Sequence, residues 1–229
     1  MQHNIKSLLG YKIGARDGEI GHVKDFYFED TSWAIRYLVV ETGNWFMEKK
    51  KLIAPQALLS PDWKNRIFPV DLSMDQVKDS PDIDTEKPVS LQQEIELYGH
   101  YAWQRYGGSG FYAGASDAVM DQPLVIDERI VVPEHRLEGK KNDLHLQSTH
   151  LVSGYHIRAT DGEIGHLADF MMNDMDWEIE YLVIDTHNGI GGKKVLLKVE
   201  HVKEIRWEDS LVIVDINIES VKSLMLFNS

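Results

Sequence analysis

The stretch TSWAIRYLVVET sets Trp33, Ile35, Tyr37 and Val39 in alternation with Ala34, Arg36, Leu38 and Val40, the period of two that marks a β-strand. The pattern returns as Trp177, Ile179, Tyr181 and Val183. Between the copies the opposite face exchanges Ala34 and Arg36 for Glu178 and Glu180, so the first face is the better candidate for the core and the second for partial exposure, although Leu38 and Leu182 can still be covered. Tyr11 to Arg16 and Glu19 to Phe28 flank Asp17-Gly18, and an Asp-Gly pair between two such runs predicts a two-residue type I′ hairpin. Further strands are expected around Lys50–Ala54 and Ile67–Asp71, with copies at Lys194–Lys198 and Leu211–Asp215. Ser73 followed by Gln76 is a capping-box signal for a short closing helix, and Asn217 starts its copy.

These correspondences belong to one internal duplication. With Gly10 laid on Gly154, an offset of 144 (154 − 10), the chain stays in register without a gap from Gly10–Lys78 to Gly154–Lys222, and roughly four in ten positions are identical. The hexapeptide DGEIGH, residues 17–22, recurs letter for letter at 161–166. Each unit is too long for a stacking repeat and large enough for its own core. The expected organisation is one β domain over residues 1–80, a connector over 81–147 and a second β domain over 148–229. The connector carries prolines in SPDIDTEKPVS, DQP and VVPEH, an expected helix near 90–105 capped by Ser90 and Gln93, and the Gly- and aromatic-rich YGGSGFYAGAS. About six short strands with tight turns and a terminal helix per unit predict a barrel or curled sheet, which protects the strand edges.

Composition narrows the chemistry. The 229 residues contain no cysteine, which removes disulfides, thiolate metal sites and thiol nucleophiles. A formal charge of −13 opposes a broad phosphate-neutralising surface, so neither nucleic acid nor an anionic membrane is an expected partner. No apolar run reaches the roughly 18 residues of a spanning helix, and the opening residues lack the pattern of a secretion signal. A cytoplasmic chain is expected.

Asp17, Glu19, His22 and Asp25, with Asp161, Glu163, His166 and Asp169, are residue types that can bind a divalent ion. In a regular strand Glu19 and Asp25 share one face and His22 takes the other, so the three meet only if a bulge breaks the alternation. The run HNGIGGKK at 187–194 lacks phosphate-loop spacing and reads as a hairpin loop. Trp45, Phe46 and Met47 at the corresponding tip suit a contact surface. Tyr98, Tyr101, Trp103 and Tyr106 suit either a protein interface or a seal between the two domains. No nucleophile, base and orienting group stand in a catalytic arrangement, so neither an enzyme nor a cofactor is expected.

The segments GYKIGARDGEIGHVKDFYFED with WAIRYLVVET, and GYHIRATDGEIGHLADFMMND with WEIEYLVIDT, resemble the PRC-barrel family. That family includes the cytoplasmic barrel of the photosynthetic reaction-centre H subunit and the C-terminal barrel of a ribosome-maturation factor. The resemblance rests on Asp17, Gly18, Ile20 and Gly21, and on Asp161, Gly162, Ile164 and Gly165, each followed by an apolar strand. It implies two small β-barrels, each closed by a short C-terminal helix, and a docking role without shared catalytic residues. The connector's PVSLQQEIELYGHYAW resembles the segment between barrels in tandem members. The expected function is a tandem-barrel interaction or adaptor protein that binds a protein partner or associates with itself as a homo-oligomer. The alternative is a divalent-ion or small-ligand binder using the repeated hexapeptide.

Overall fold

The computed structural model describes residues 1–43, 49–80, 146–186 and 192–227. Two mainly antiparallel sheets form, one in each half of the chain. The first half contains β1 (Gln2–Asn4), α1 (Ile5–Leu8), β2 (Lys12–Ala15), β3 (Gly18–Glu29), β4 (Ile35–Thr42), β5 (Lys49–Ile53), β6 (Ile67–Pro69) and α2 (Met74–Lys78). The second contains β7 (Leu146–Ser148), α3 (Thr149–Val152), β8 (His156–Ala159), β9 (Gly162–Asn173), β10 (Glu178–Thr186), β11 (Lys194–Lys198), β12 (Val202–Arg206), β13 (Leu211–Val214) and α4 (Ile218–Lys222). Among the described residues no helix is long and apolar enough to cross a membrane.

The expected hairpins, central strands and closing helices form in both halves. The first sheet runs β5-β4-β3-β2-β6 and the second β11-β10-β9-β8-β13-β12, with β2–β6 and β8–β13 as the parallel pairs. The expected capping box is complete: Ser73 Oγ accepts from Gln76 N–H, and the Gln76 side chain accepts from Ser73 N–H. Asn217 caps α4 through Ser220 N–H.

The chain's two ends of pairing are crossed. β1 does not join the first sheet; it pairs antiparallel with β9, Gln2 opposite Asn173 and Asn4 opposite Met171. β7 pairs reciprocally with β3, Leu146 opposite Glu29 and Ser148 opposite Tyr27. Each leading strand therefore occupies the edge of the other half's longest strand, beyond the point where β2 or β8 ends. The duplication thus reaches further back in space than in sequence, because β1-α1 and β7-α3 are equivalent elements at the same offset.

At the centre, two turns meet. Ile35 N–H donates to the Trp177 carbonyl at 2.7 Å and Ile179 N–H to the Trp33 carbonyl at 2.9 Å, around a bridge between Ala34 and Glu178. Trp33 and Trp177 both take positive φ, 62° and 57°, a conformation that a bulky residue holds only when its surroundings fix it. The Trp33 ring stacks on Phe28 at 5.4 Å, Phe28 meets Phe170 of the other half at 5.4 Å, and Trp177 meets Phe68 at 6.0 Å. One apolar core consequently runs through both halves, from Ile5, Leu8 and Phe28 to Val152, Phe170 and Leu182.

Two local expectations are corrected. Ala15 pairs with Gly18 and Ala159 with Gly162, so the two-residue loops are Arg16-Asp17 and Thr160-Asp161, not Asp-Gly. None of the four loop residues has the positive φ that a type I′ turn requires. In β4, alternation fails to separate inside from outside: Tyr37 and Val39 are buried, Leu38 is covered as the sequence allowed, and Val40 on the expected exposed face is buried too. Leu38 and Val40 face the common core, while Tyr37 and Val39 join a second cluster with Tyr27, Leu52, Ala54 and Leu146.

The glycines of the repeated hexapeptide have steric causes. A Cβ on Gly21 would lie 2.2 Å from the Glu41 carbonyl oxygen, and one on Gly165 2.0 Å from that of Asp185. Gly18 has φ 154°, and a Cβ there would stand 2.9 Å from Met74 Sδ. Replacing Gly21 or Gly165 by Ala is expected to cost about 3 kcal/mol or more, as backbone must move to admit the methyl group. Gly10→Ala, where φ is +78° with open space around it, should cost only about 1 to 2 kcal/mol. Urea unfolding of the three variants measures the difference.

Candidate functional site

The acidic residues of the repeat separate into three environments. Asp17 and Asp161 face the closing helices: Asp17 Oδ1 accepts from Met74 N–H at 2.7 Å and Asp161 Oδ1 from Ile218 N–H at 2.8 Å. Each ties its hairpin to the first residue of a helix whose N–H groups have no partner within the helix. Glu19 and Glu163 are exposed and pair across the hairpin with Lys12 at 3.0 Å and Arg158 at 3.8 Å. Such pairs at the surface contribute little. His22 and His166 are exposed as well, His22 opposite Lys12 and Glu41, His166 opposite His156 and Asp185.

Asp25 and Asp169 lie inside, 3% and 6% exposed. Register shifts at Ile20 and at Lys24, repeated in β9, break the alternation along the strand. Their effect is to keep Glu19 and His22 in solvent while Asp25 turns inward, so the bulges do not assemble the three residues. Among the described residues, no group of three or more His, Asp or Glu side chains comes together as a metal site.

The buried carboxylates instead grip the other half of the chain. Asp25 Oδ2 accepts from Ser148 Oγ at 2.5 Å, and Oδ1 accepts from Thr149 Oγ1 at 2.8 Å, His150 N–H at 3.0 Å and its neighbour Phe26 N–H at 2.7 Å. Asp169 Oδ2 accepts from Asn4 Nδ2 at 2.9 Å, and Oδ1 from Lys6 N–H at 3.1 Å and Phe170 N–H at 2.8 Å. Ser148 is the equivalent of Asn4, His150 of Lys6 and Phe26 of Phe170. Each aspartate thereby caps the short helix that follows the visiting strand, supplying the acceptor that the helix's own residues would otherwise have to provide. Lys6 Nζ adds a bond to the Ala168 carbonyl oxygen beside Asp169.

Burial pushes the Asp25 carboxyl above its ordinary 3.8, and this outweighs the opposing pull of its hydrogen bonds from Ser148, Thr149, Phe26 and His150.

A cavity of about 380 Å³ lies beside the first hairpin, lined by Glu19, Ile20, Thr42, Lys49, Lys51 and Met74 among others. The Lys51 ammonium donates to the Ser80 carbonyl oxygen at 2.5 Å. The second half has Val195 in place of Lys51, paired with Leu226 near the C-terminus.

The interaction residues Trp45, Phe46, Met47, Tyr98, Tyr101, Trp103 and Tyr106 lie outside the described residues. The reading of the sequence missed the partners of the buried acids, Asn4, Ser148 and Thr149. They belong to the segments 2–9 and 146–153, QHNIKSLL and LQSTHLVS, which share no identical position. The available signal was the recurrence of an acid inside an apolar strand, VKDFYF and LADFMM, since a buried carboxylate requires donors.

No family model and no curated protein matches the chain.

Removing the helix contact by Asp17→Ala or Asp161→Ala is expected to cost about 1 kcal/mol each, the usual value of a lost cap. Because the two positions occupy separate hairpins, the double variant should show the sum in thermal unfolding. For Asp25 the native state retains its proton to a higher pH than the unfolded state does. Stability relative to Asp25→Asn should therefore be greatest below pH 3.8, fall as pH rises through the native-state value, and level off once the carboxyl is ionised in both states. Urea titrations of both proteins from acid to neutral pH measure that difference.

Proposed function

We propose that the chain is a non-enzymatic adaptor of the cytoplasm, built from two small PRC-barrel-type domains that present a joint surface to a protein partner or to another copy. The observation that supports this is where the repeated acids are used. Asp17 and Asp161 hold closing helices, and Asp25 and Asp169 hold the halves together. The motif thus serves rigidity and mutual orientation, which is what a docking platform requires. In this reading each sheet curls into a barrel through its parallel pair, β2–β6 or β8–β13, and the aromatic residues of the connector and of positions 44–48 supply the contact surface. The resemblance of both repeats to a family of docking barrels agrees with that assignment. Ion binding has weaker support, since Asp25 and Asp169 already accept from protein donors.

The test compares cross-linked capture from cell lysate by the native protein and by a variant carrying Trp45→Ala, Phe46→Ala, Tyr101→Ala and Trp103→Ala. Circular dichroism and the melting temperature serve as the check on folding. A discrete protein partner, or a second copy of the chain, is expected with the native protein and should be lost with the variant. Equal capture by both, or none by either, overturns the reading.

A further inference from the structure

We propose that the two halves are a binding pair in their own right: the contact between them is an internalised two-fold dimer interface that holds without a covalent link. This goes beyond the adaptor reading and does not depend on it.

The contacts repeat under a single operation. Gln2 opposite Asn173 becomes Leu146 opposite Glu29, and Asn4 on Asp169 becomes Ser148 on Asp25. The Ile35–Trp177 hydrogen bond becomes Ile179–Trp33, and the Ala34–Glu178 bridge maps onto itself. A surface whose residue i meets j while the equivalent of j meets the equivalent of i is the isologous arrangement of a two-fold dimer.

The contact also has the composition of a permanent interface. Its centre is apolar and closed, with Phe28 and Phe170 fully buried against one another and Ile5, Leu8 and Val152 buried around them. Its periphery is strand addition, in which main-chain hydrogen bonds supply adhesion. Between centre and periphery, each half inserts a carboxylate that the other half must satisfy. Separating the halves would leave Asp25 without Ser148, Thr149 and His150, and Asp169 without Asn4 and Lys6. All these contacts join residues 1–80 to residues 146–227, so none of them requires residues 81–145. A covalent link adds to such a pairing only a local concentration, on the order of millimolar for short linkers in general. An interface with this core is expected to hold well below that.

The experiment places a specific protease site between Gly108 and Ser109 of the full-length protein, cuts it after folding, and measures the mass by light scattering at micromolar concentration. The expected result is a single particle with the mass of the uncut chain that separates into two fragments only in denaturant. The same cut is made in the Asp25→Ala/Asp169→Ala protein and in the shape-conserving Asp25→Asn/Asp169→Asn protein, after each uncut form is shown to be folded. Fragment affinity should fall about a hundredfold or more in the Ala pair, because a buried acceptor is removed on both sides and its donors are left without a partner. Separation of the native fragments at micromolar concentration overturns the proposal. Unchanged affinity in both double variants overturns the role given to the aspartates.

Discussion

Two carboxylates buried in apolar strands impose the constraint on which this architecture depends. A buried aspartate needs donors, and neither sheet supplies enough of its own. For Asp25 and Asp169 the neighbouring residue's N–H provides one, and the remainder come from a strand-and-helix segment belonging to the opposite half. That requirement brings β7 to β3 and β1 to β9. It also brings the Trp33 and Trp177 turns into contact and allows one core to run through both sheets. An apolar residue at either site would remove the need for specific donors and with it the signal for where the visiting segment must stop.

The repeated hexapeptide is explained by close approach. Gly21 and Gly165 let the neighbouring strand's carbonyl pass where a side chain would stand, and Gly18 and Gly162 leave room for Met74 and Ile218 of the closing helices. Asp17 and Asp161 then bond to those same helices. Hairpin, neighbouring strand and helix are thereby fixed around six residues, so identity between the copies is greatest where the backbone is most crowded.

The long strands, the hairpins and the helix caps were legible because each is encoded within a few residues: the alternation around Trp33 and Trp177, the Asp-Gly pairs, the Ser73–Gln76 box. The turn was misplaced by one residue because Asp17 bonds to Met74, more than fifty positions away, and the ladder continues through Gly18. The leading segments were not legible at all. QHNIKSLL and LQSTHLVS agree at no aligned position, and their strands form only against an edge supplied by the other half. The same distance hid the function of Asp25 and Asp169, whose residue type suggested a cation and whose partners are more than a hundred positions away.

Crossed pairing has a consequence for biosynthesis. A chain leaving the ribosome presents β1 when β9 does not yet exist, and it completes β3 long before Leu146–Ser148 arrive to cover its edge. During that interval the first half carries an unpaired strand edge and a carboxylate in apolar surroundings without most of its donors, the kind of surface that invites wrong partners. Contacts of such long sequence separation also slow closure of the native state, since the entropy of closing the intervening loop is lost before they reward it. Both crossed pairings wait on residues 146–173, so neither sheet has its full set of strands until that stretch has been made.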